Sequence, residues 1–333
     1  MSDERTDPLT EGHYWDIDRL VQGLAAARTR WRQGQSHHTE YGGAGFPSRG
    51  DITKIMMSLC GALFPLRLGP SFVRIDNEDA FVAETLQTSL SRLYGQIRLE
   101  LYYARPDNSA EELDAEAARI IGAFSSRLPD LRVLLDTDVE AAFEGDPAAR
   151  SVDEVLICYP SILAIIHHRL AHELHGLGAP LVARIISEVA HSKTGIDIHP
   201  GAIIGERFFI DHGTGVVIGE TAIIGNRVRL YQGVTLGARS FTVDEQGKLE
   251  KAEPRHPVLE DDVIIYSGAT VLGRIIIGRG SVIGGNVWLT HSIPAGSNVR
   301  QAKAENQISS RIDDMAPHRV RRTVVAEERG ADA

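Results

Sequence analysis

The 333-residue chain carries 35 basic and 45 acidic side chains, and its net charge of −10 repels polyanions and leaves no basic stripe for a phosphate backbone. Its two cysteines, Cys60 and Cys158, sit in apolar stretches and read as buried thiols of a reducing compartment, which excludes a disulfide framework and a CxxC metal site. Met1 to Thr10 are acidic and polar, unlike a signal peptide, and the longest apolar run, Ile55 to Leu68, is broken by Ser58, Gly61, Pro65 and Arg67 and falls short of the roughly 20 residues of a bilayer span, so a cytoplasmic protein without nucleic-acid or membrane partners is expected.

From Asp16 to Gln33 apolar residues recur at three- and four-residue steps, which predicts a helix. A glycine-rich loop follows over His37 to Gly50. The same helical spacing returns over Glu78 to Tyr103, Ala110 to Leu128, Leu131 to Phe143, Tyr159 to His175 and Pro180 to His191, with a loop at Arg105 to Ser109 and glycines 176 and 178 ending the fifth of these helices. After Ser192 β-branched residues dominate and a period of six appears. An aliphatic residue recurs at six-residue steps in Ile198, Ile204 and Ile210, in Ile218, Ile224, Leu230 and Leu236, and in Leu259, Ile265, Val271, Ile277, Ile283 and Leu289. Glycine commonly follows it, as at 205, 219, 225, 278 and 284, and a small or β-branched residue stands four positions on, with Phe208 and Ile275 as bulkier exceptions. Such a period predicts coils of three short flat strands whose aliphatic residues point inward and stack on their copies one coil later, with asparagines 226 and 286 at corners of positive φ. The fold class expected is α+β: an all-helical N-terminal domain followed by a parallel β-helix of hexapeptide repeats. Its divisions are an N-terminal helical extension over 1–45, a helical domain over 46–191, the β-helix over 192–296 with a loop inserted at 238–257, and a tail over 297–333.

The repeat fails twice. Between Ile210 and Ile218 the step is eight, and the two extra residues fall in Asp211-His212-Gly213-Thr214-Gly215, which puts a carboxylate and an imidazole on a bulged corner. Between Leu236 and Leu259 the step is 23, across a polar loop with an exposed tip at Asp244 to Gly247, and the chain re-enters the coil through Arg255-His256-Pro257. A solenoid that only had to be stable needs neither break. Asp197, in Asp197-Ile198-His199-Pro200, falls about one 18-residue coil before Asp211 and His212, within hydrogen-bond reach of them. A carboxylate that orients a histidine is a general-base arrangement.

The strings Asp197-Ile198-His199-Pro200, Ile210 to Ala222, Gln232-Gly233-Val234-Thr235-Leu236-Gly237 and Arg255-His256-Pro257, with Asp146-Pro147-Ala148 and Arg169-Leu170-Ala171-His172 upstream, resemble the serine O-acetyltransferases. That resemblance covers about Asp146 to Gly296 and implies a left-handed β-helix with active sites between the subunits of a trimer. It implies transfer of acetyl from acetyl-CoA to the hydroxyl of L-serine, giving O-acetylserine for cysteine biosynthesis, with no metal. His212 would be the base and Asp197 its partner. Asp146 and Asp211 would hold the substrate ammonium, while Arg255 and His256 would grip its carboxylate. Acetyl-CoA would lie along the coil edge near Ala238, Ser267, Gly268 and Gly285. A homotrimer or a dimer of trimers, and inhibition by cysteine, are family expectations. Many members end in an isoleucine that docks into O-acetylserine sulfhydrylase, whereas this sequence ends Gly330-Ala331-Asp332-Ala333, so no stable complex of that kind is expected.

Other readings stand beside this one. The acceptor could be another hydroxy amino acid, or the acyl group other than acetyl. His168, His172 and His175 share one helical face, with His167 and His191 near, and could hold zinc or pack and cap within the helical domain, the reading we favour. A γ-class carbonic anhydrase also uses a β-helix with interfacial histidines, but Asp211-His212 and Arg255-His256 fit acyl transfer better. A non-catalytic scaffold would have no use for the two breaks.

Overall fold

The computed structural model describes residues 16–34, 45–240 and 253–302. Among the described residues eight helices come first: α1 (Ile17–Gly34), α2 (Arg49–Leu63), α3 (Pro65–Leu68), α4 (Glu78–Ala104), α5 (Ala110–Gly145), α6 (Val152–Cys158), α7 (Pro160–Leu177) and α8 (Pro180–Thr194). In α1 no residue is buried. The other long helices form one core: α7 packs on α8, α2 on α4, and α5 on both α4 and α7. The helix α2, which the sequence reading passed over as an apolar run, turns Ile52, Ile55, Met56, Leu59 and Leu63 into that core and is capped by Ser48, whose Oγ accepts from the Asp51 N–H.

Where two helices were expected on either side of Pro129, α5 runs unbroken for 36 residues. Leu128, Leu131, Leu135 and Val139 continue one buried stripe across the proline, and this burial outweighs the roughly 3 kcal/mol that an interior proline costs a helix. Of the two cysteines, Cys60 is buried, and burial pushes its thiol up to about 12. Cys158 corrects the expectation of a second buried thiol: it ends the seven-residue α6 and is exposed. No single described helix is long and apolar enough to cross a membrane.

Gly195 caps α8 in the left-handed region and the chain enters the coil. Its strands fall on three faces of a left-handed parallel β-helix. The first face holds Asp197–Ile198, Val217–Ile218, Thr235–Gly237, Thr270–Leu272 and Trp288–Leu289; the second Ile203–Ile204, Ile223–Ile224, Val258–Leu259 and Ile276–Ile277. The third holds Phe209–Ile210, Arg229–Leu230, Ile264–Ile265, Val282–Ile283 and Asn298–Val299. Every aliphatic position of the period of six is buried, at 8% exposure or less, and each pairs with its copy one coil on, as Ile198 with Ile218 and Ile224 with Leu259. Burial of each such side chain contributes about 1.5–3 kcal/mol. Asn286 takes positive φ as expected, but at the other corner Arg227 does so in place of Asn226. Asn226 instead joins three coils: its Oδ1 accepts from the Glu206 N–H at 3.0 Å and its N–H donates to Asp261 at 2.9 Å.

A buried ion pair joins the two halves. Arg169 of α7 lays its guanidinium on Asp138 of α5 (3.1 and 3.0 Å) and donates to the carbonyls of Ile204 and Gly205 in the first coil, while Asp138 accepts from the Phe208 N–H at 2.9 Å. Every polar atom of this cluster has a partner, which is what makes a buried charge tolerable.

Candidate active site

The edge where the third face turns into the first carries the first register break. Asp211 follows the inward Ile210 and so points outward, and His212 takes φ +58° on the bulge, leaving its side chain 71% exposed, with Nδ1 3.9 Å from the Asp211 carboxylate. Against this corner lies Asp146, the residue that ends α5. Its neighbour Gly145 lets it come close, since a Cβ there would meet the Arg229 guanidinium at 2.5 Å and the Phe209 ring at 2.8 Å. Tyr159, the cap of α7, donates its hydroxyl to Asp146 at 2.5 Å, and the Ala148 N–H donates to the other carboxylate oxygen at 2.8 Å. These two bonds, with the electrostatic pull of the neighbouring His212 and Arg229, hold the Asp146 carboxyl below its ordinary range. The same bond from the other side, aided by burial and by the charges of Asp146, Glu154 and Asp211, pushes the Tyr159 phenol up to about 12. Asp146, Tyr159, Asp211, His212 and Arg229 therefore form one electrostatically coupled corner.

Asp197 lies at the foot of this edge, paired in register with Val217, but its carboxylate faces α8. There Glu188, His191 and Asp197 bring donor atoms within 4.8 Å of one another, the one trio of metal-ligand character among the described residues. Glu188 is already engaged by Arg184 at 2.6 Å. The expected hydrogen bond between Asp197 and His212 is absent from the described residues, because the bulge carries the imidazole outward toward solvent.

Arg255 and His256 stand at a different edge, where the first face turns into the second. Thr221 is the hub of that corner: its Oγ1 accepts from the Arg255 N–H (2.9 Å) and the His256 N–H (3.2 Å), and lies 2.9 Å from His256 Nδ1. The Thr221 N–H also donates to Nδ1 at 3.1 Å, so this ring nitrogen is an acceptor and the proton of the neutral ring sits on Nε2. Burial, reinforced by Arg255, holds His256 down to about 4. The ring fits only because position 219 is glycine, where a Cβ would stand 2.0 Å from Cδ2. The Arg255 guanidinium pairs with Glu220 at 2.5 Å. Burial raises the Glu220 carboxyl, but Arg255, His199 and His175 together outweigh it and bring it below its ordinary value.

Ser267, Gly268 and Gly285 line the edge of His212, two and three coils further along, where a Cβ on Gly233 would come within 3.5 Å of the Gly268 backbone; Ala238 follows Gly237 on the edge of Arg255. The tip at Asp244 to Gly247 and the C-terminal residues lie outside the described residues. Of the histidine face of α7, His168 is buried with Nδ1 lacking a hydrogen-bond partner, His172 Nδ1 lies 2.8 Å from the Pro200 carbonyl, and the His175 ring is 6.0 Å from that of His199. These side chains pack the helices onto the first coil. One chain thus brings together Asp146, Asp211 and His212 and keeps Arg255 and His256 apart from them. Sequence reasoning missed Tyr159, Glu220 and Thr221; the last two lie in the string that carries the resemblance, whereas nothing in the sequence around Tyr159 pointed to Asp146 beyond its nearness along the chain.

A coil of hexapeptide rungs with an imidazole and carboxylates at an interrupted corner is the framework of a hexapeptide-repeat acyltransferase, and residues 256–291 match the family described as bacterial transferase hexapeptide (six repeats). A plasmid-encoded serine acetyltransferase of Synechococcus elongatus is 50% identical over 305 residues, covering 90% of this chain and 95% of that protein. A serine acetyltransferase of Bacillus licheniformis is 51% identical over 166 residues, covering 50% of this chain and 73% of its own. Among solved structures, serine acetyltransferase isoform 3 of Entamoeba histolytica in complex with cysteine superposes with a TM-score of 0.67 at 34% identity, covering 89% of this chain and 97% of that one. Serine acetyltransferase 1 of the same organism, in complex with L-cysteine, gives 0.65 at 32% identity, with 86% and 99% covered. The chain belongs to the serine acetyltransferase family and is an acyltransferase.

Proposed function

We propose that the protein transfers acetyl from acetyl-CoA to the hydroxyl of L-serine, releasing O-acetylserine and CoA, with His212 as the general base. The observation that carries this reading is the corner itself: an exposed imidazole at positive φ on a two-residue bulge, beside Asp211 and within the field of Asp146. The imidazole takes the proton from the serine hydroxyl as it attacks the thioester carbonyl and returns it to the departing thiolate, a role that contributes about 10² to 10⁴ in rate. Asp146 and Asp211 supply negative charge for the substrate ammonium. Asp197, at the foot of the same edge, faces Glu188 and His191 and is given no part in this step.

Arg255 and His256 grip the substrate carboxylate, Arg255 with a planar fork and His256 through its Nε2–H. Because these two residues stand on another edge of their own chain, the reading requires a neighbouring copy to bring its Arg255 edge against the His212 edge, as in a trimer. Acetyl-CoA then lies in the cleft between copies, beside Ser267, Gly268 and Gly285 of one chain and Ala238 of the next. His212→Ala tests the reading: turnover with acetyl-CoA and serine should fall by at least a hundredfold while acetyl-CoA binding, measured by calorimetry, stays within about twofold. Retained turnover would remove His212 from the chemistry.

A further inference from the structure

Several aspartates of the helical half are spent on arginines: Asp114 on Arg98, Asp136 on Arg132, Asp138 on Arg169 and Asp153 on Arg67. Asp146 is not. Among the described residues no lysine, arginine or histidine forms an ion pair with it, although His212 and Arg229 are near enough for their pull to be felt. The Arg229 guanidinium lies instead over the Phe209 ring, 5.4 Å from its centroid. The partners of Asp146 are neutral donors, one to each oxygen: the Tyr159 hydroxyl goes to Oδ2 at 2.5 Å and the Ala148 N–H to Oδ1 at 2.8 Å. Such bonds fix the plane of the carboxylate, leave each oxygen a lone pair to offer, and do not cancel its charge.

The junction of α6 and α7 sets where the hydroxyl stands. Tyr159 caps α7, its N–H donates to the Val155 carbonyl at 3.1 Å, Pro160 fixes the next φ, and its half-buried ring packs against the core. Held at about 12, chiefly by the bond to Asp146, the phenol keeps its proton and acts as a donor. A carboxylate kept only for stability would gain from a cation beside it, whereas one tied to a phenol next to the His212 corner still has its full charge for an incoming cation. We propose that Tyr159 is a positioning residue for the acceptor: acting through Asp146, it holds that carboxylate uncompensated and in one orientation for the substrate ammonium. This rests on the reading that serine is the acceptor and that Asp146 receives its amino group.

The test is steady-state kinetics of Tyr159→Phe, alone and combined with Asp146→Asn. The single variant keeps the ring and loses the hydroxyl. Its KM for serine should rise roughly tenfold, while kcat and KM for acetyl-CoA stay within about twofold. A partly unfolded preparation lowers the apparent kcat but leaves KM readable, since only folded molecules turn over. In the Asp146→Asn background the loss of the hydroxyl should change KM for serine by less than about twofold, because the group it acts through is already gone. A KM for serine that does not move in Tyr159→Phe overturns the proposal. So does a penalty that persists in full beside Asp146→Asn, which a role in packing or in direct contact with the substrate would give. Two other results would sink the underlying reading instead: wild-type protein that moves no acetyl from acetyl-CoA to serine, or Asp146→Asn alone with a wild-type KM for serine.

Discussion

Gly219→Ala adds one methyl group where the His256 ring passes, 2.0 Å from Cδ2 and 2.1 Å from Nε2. Neither partner can yield cheaply. The glycine follows directly on the paired strand Val217–Ile218, and the ring is buried and held at Nδ1 by the Thr221 N–H and Oγ1. To admit the methyl the ring must leave Thr221. Two hydrogen bonds of about 1 kcal/mol each are lost, and an orphaned backbone N–H costs about another 1–3 kcal/mol, so a destabilisation on the order of 3 kcal/mol is expected. Scanning calorimetry should show a melting temperature lowered by roughly 5 °C or more. In initial-rate assays KM for serine should rise at least tenfold and KM for acetyl-CoA stay near wild type, because the proposed role of the displaced ring and the adjacent Arg255 is to grip the acceptor carboxylate alone. A variant with wild-type melting and a wild-type KM for serine would refute both the packing argument and the role given to His256.

Arg169→Met removes every partner of Asp138 except the Phe208 N–H and should cost about 3–5 kcal/mol, read by chemical denaturation; adding Asp138→Leu should restore part of the loss. Burial, above all, holds His167 and His256 down to about 4, whereas in the unfolded chain they titrate near 6.5. The unfolded state therefore binds more protons below pH 6.5, and the stability these groups contribute is complete above that value and lost as the pH falls toward 4, by up to about 1.4 kcal/mol per pH unit for each. Melting temperature followed from pH 8 to pH 5 should decline over the acid half, and a flat profile would contradict the burial of neutral imidazoles. Asp146→Asn removes the charge that Tyr159 and the Ala148 N–H hold in place and should raise KM for serine by tenfold or more with little change in KM for acetyl-CoA. Cysteine, which places a thiol where serine has its hydroxyl, should compete with serine, and an unchanged rate in excess cysteine would count against a shared site.

The β-helix was legible because its physics is one-dimensional: an inward aliphatic residue every six positions announces both the strand and the face it covers, and all thirteen such positions are buried. The register breaks were equally plain, since an insertion in a strict period can go only to a corner. Much of the helical half was less legible. The periodicity of α2 hid in a run read for its apolar length, and α5 crosses Pro129 because its buried stripe is set by packing from α4 and α7, which no local signal records. Corner conformation escaped too, since the left-handed residue at one corner is Arg227 and the neighbouring Asn226 spends its side chain on the preceding coil. At the site, the motifs named Asp146, Asp211 and His212, but the Tyr159 hydroxyl that holds Asp146, and the turn of Asp197 toward Glu188 and His191, depend on how α7 and α8 dock on the first coil.

The central claim, that the interrupted corner performs acetyl transfer to a serine-like hydroxyl, is tested most directly by thiol release from acetyl-CoA across a panel of hydroxyl-bearing amino acids. The account predicts CoA formation that requires L-serine, yields O-acetylserine, and disappears in His212→Ala protein that still binds acetyl-CoA. CoA release that is indifferent to serine, or that survives the loss of His212, would contradict it.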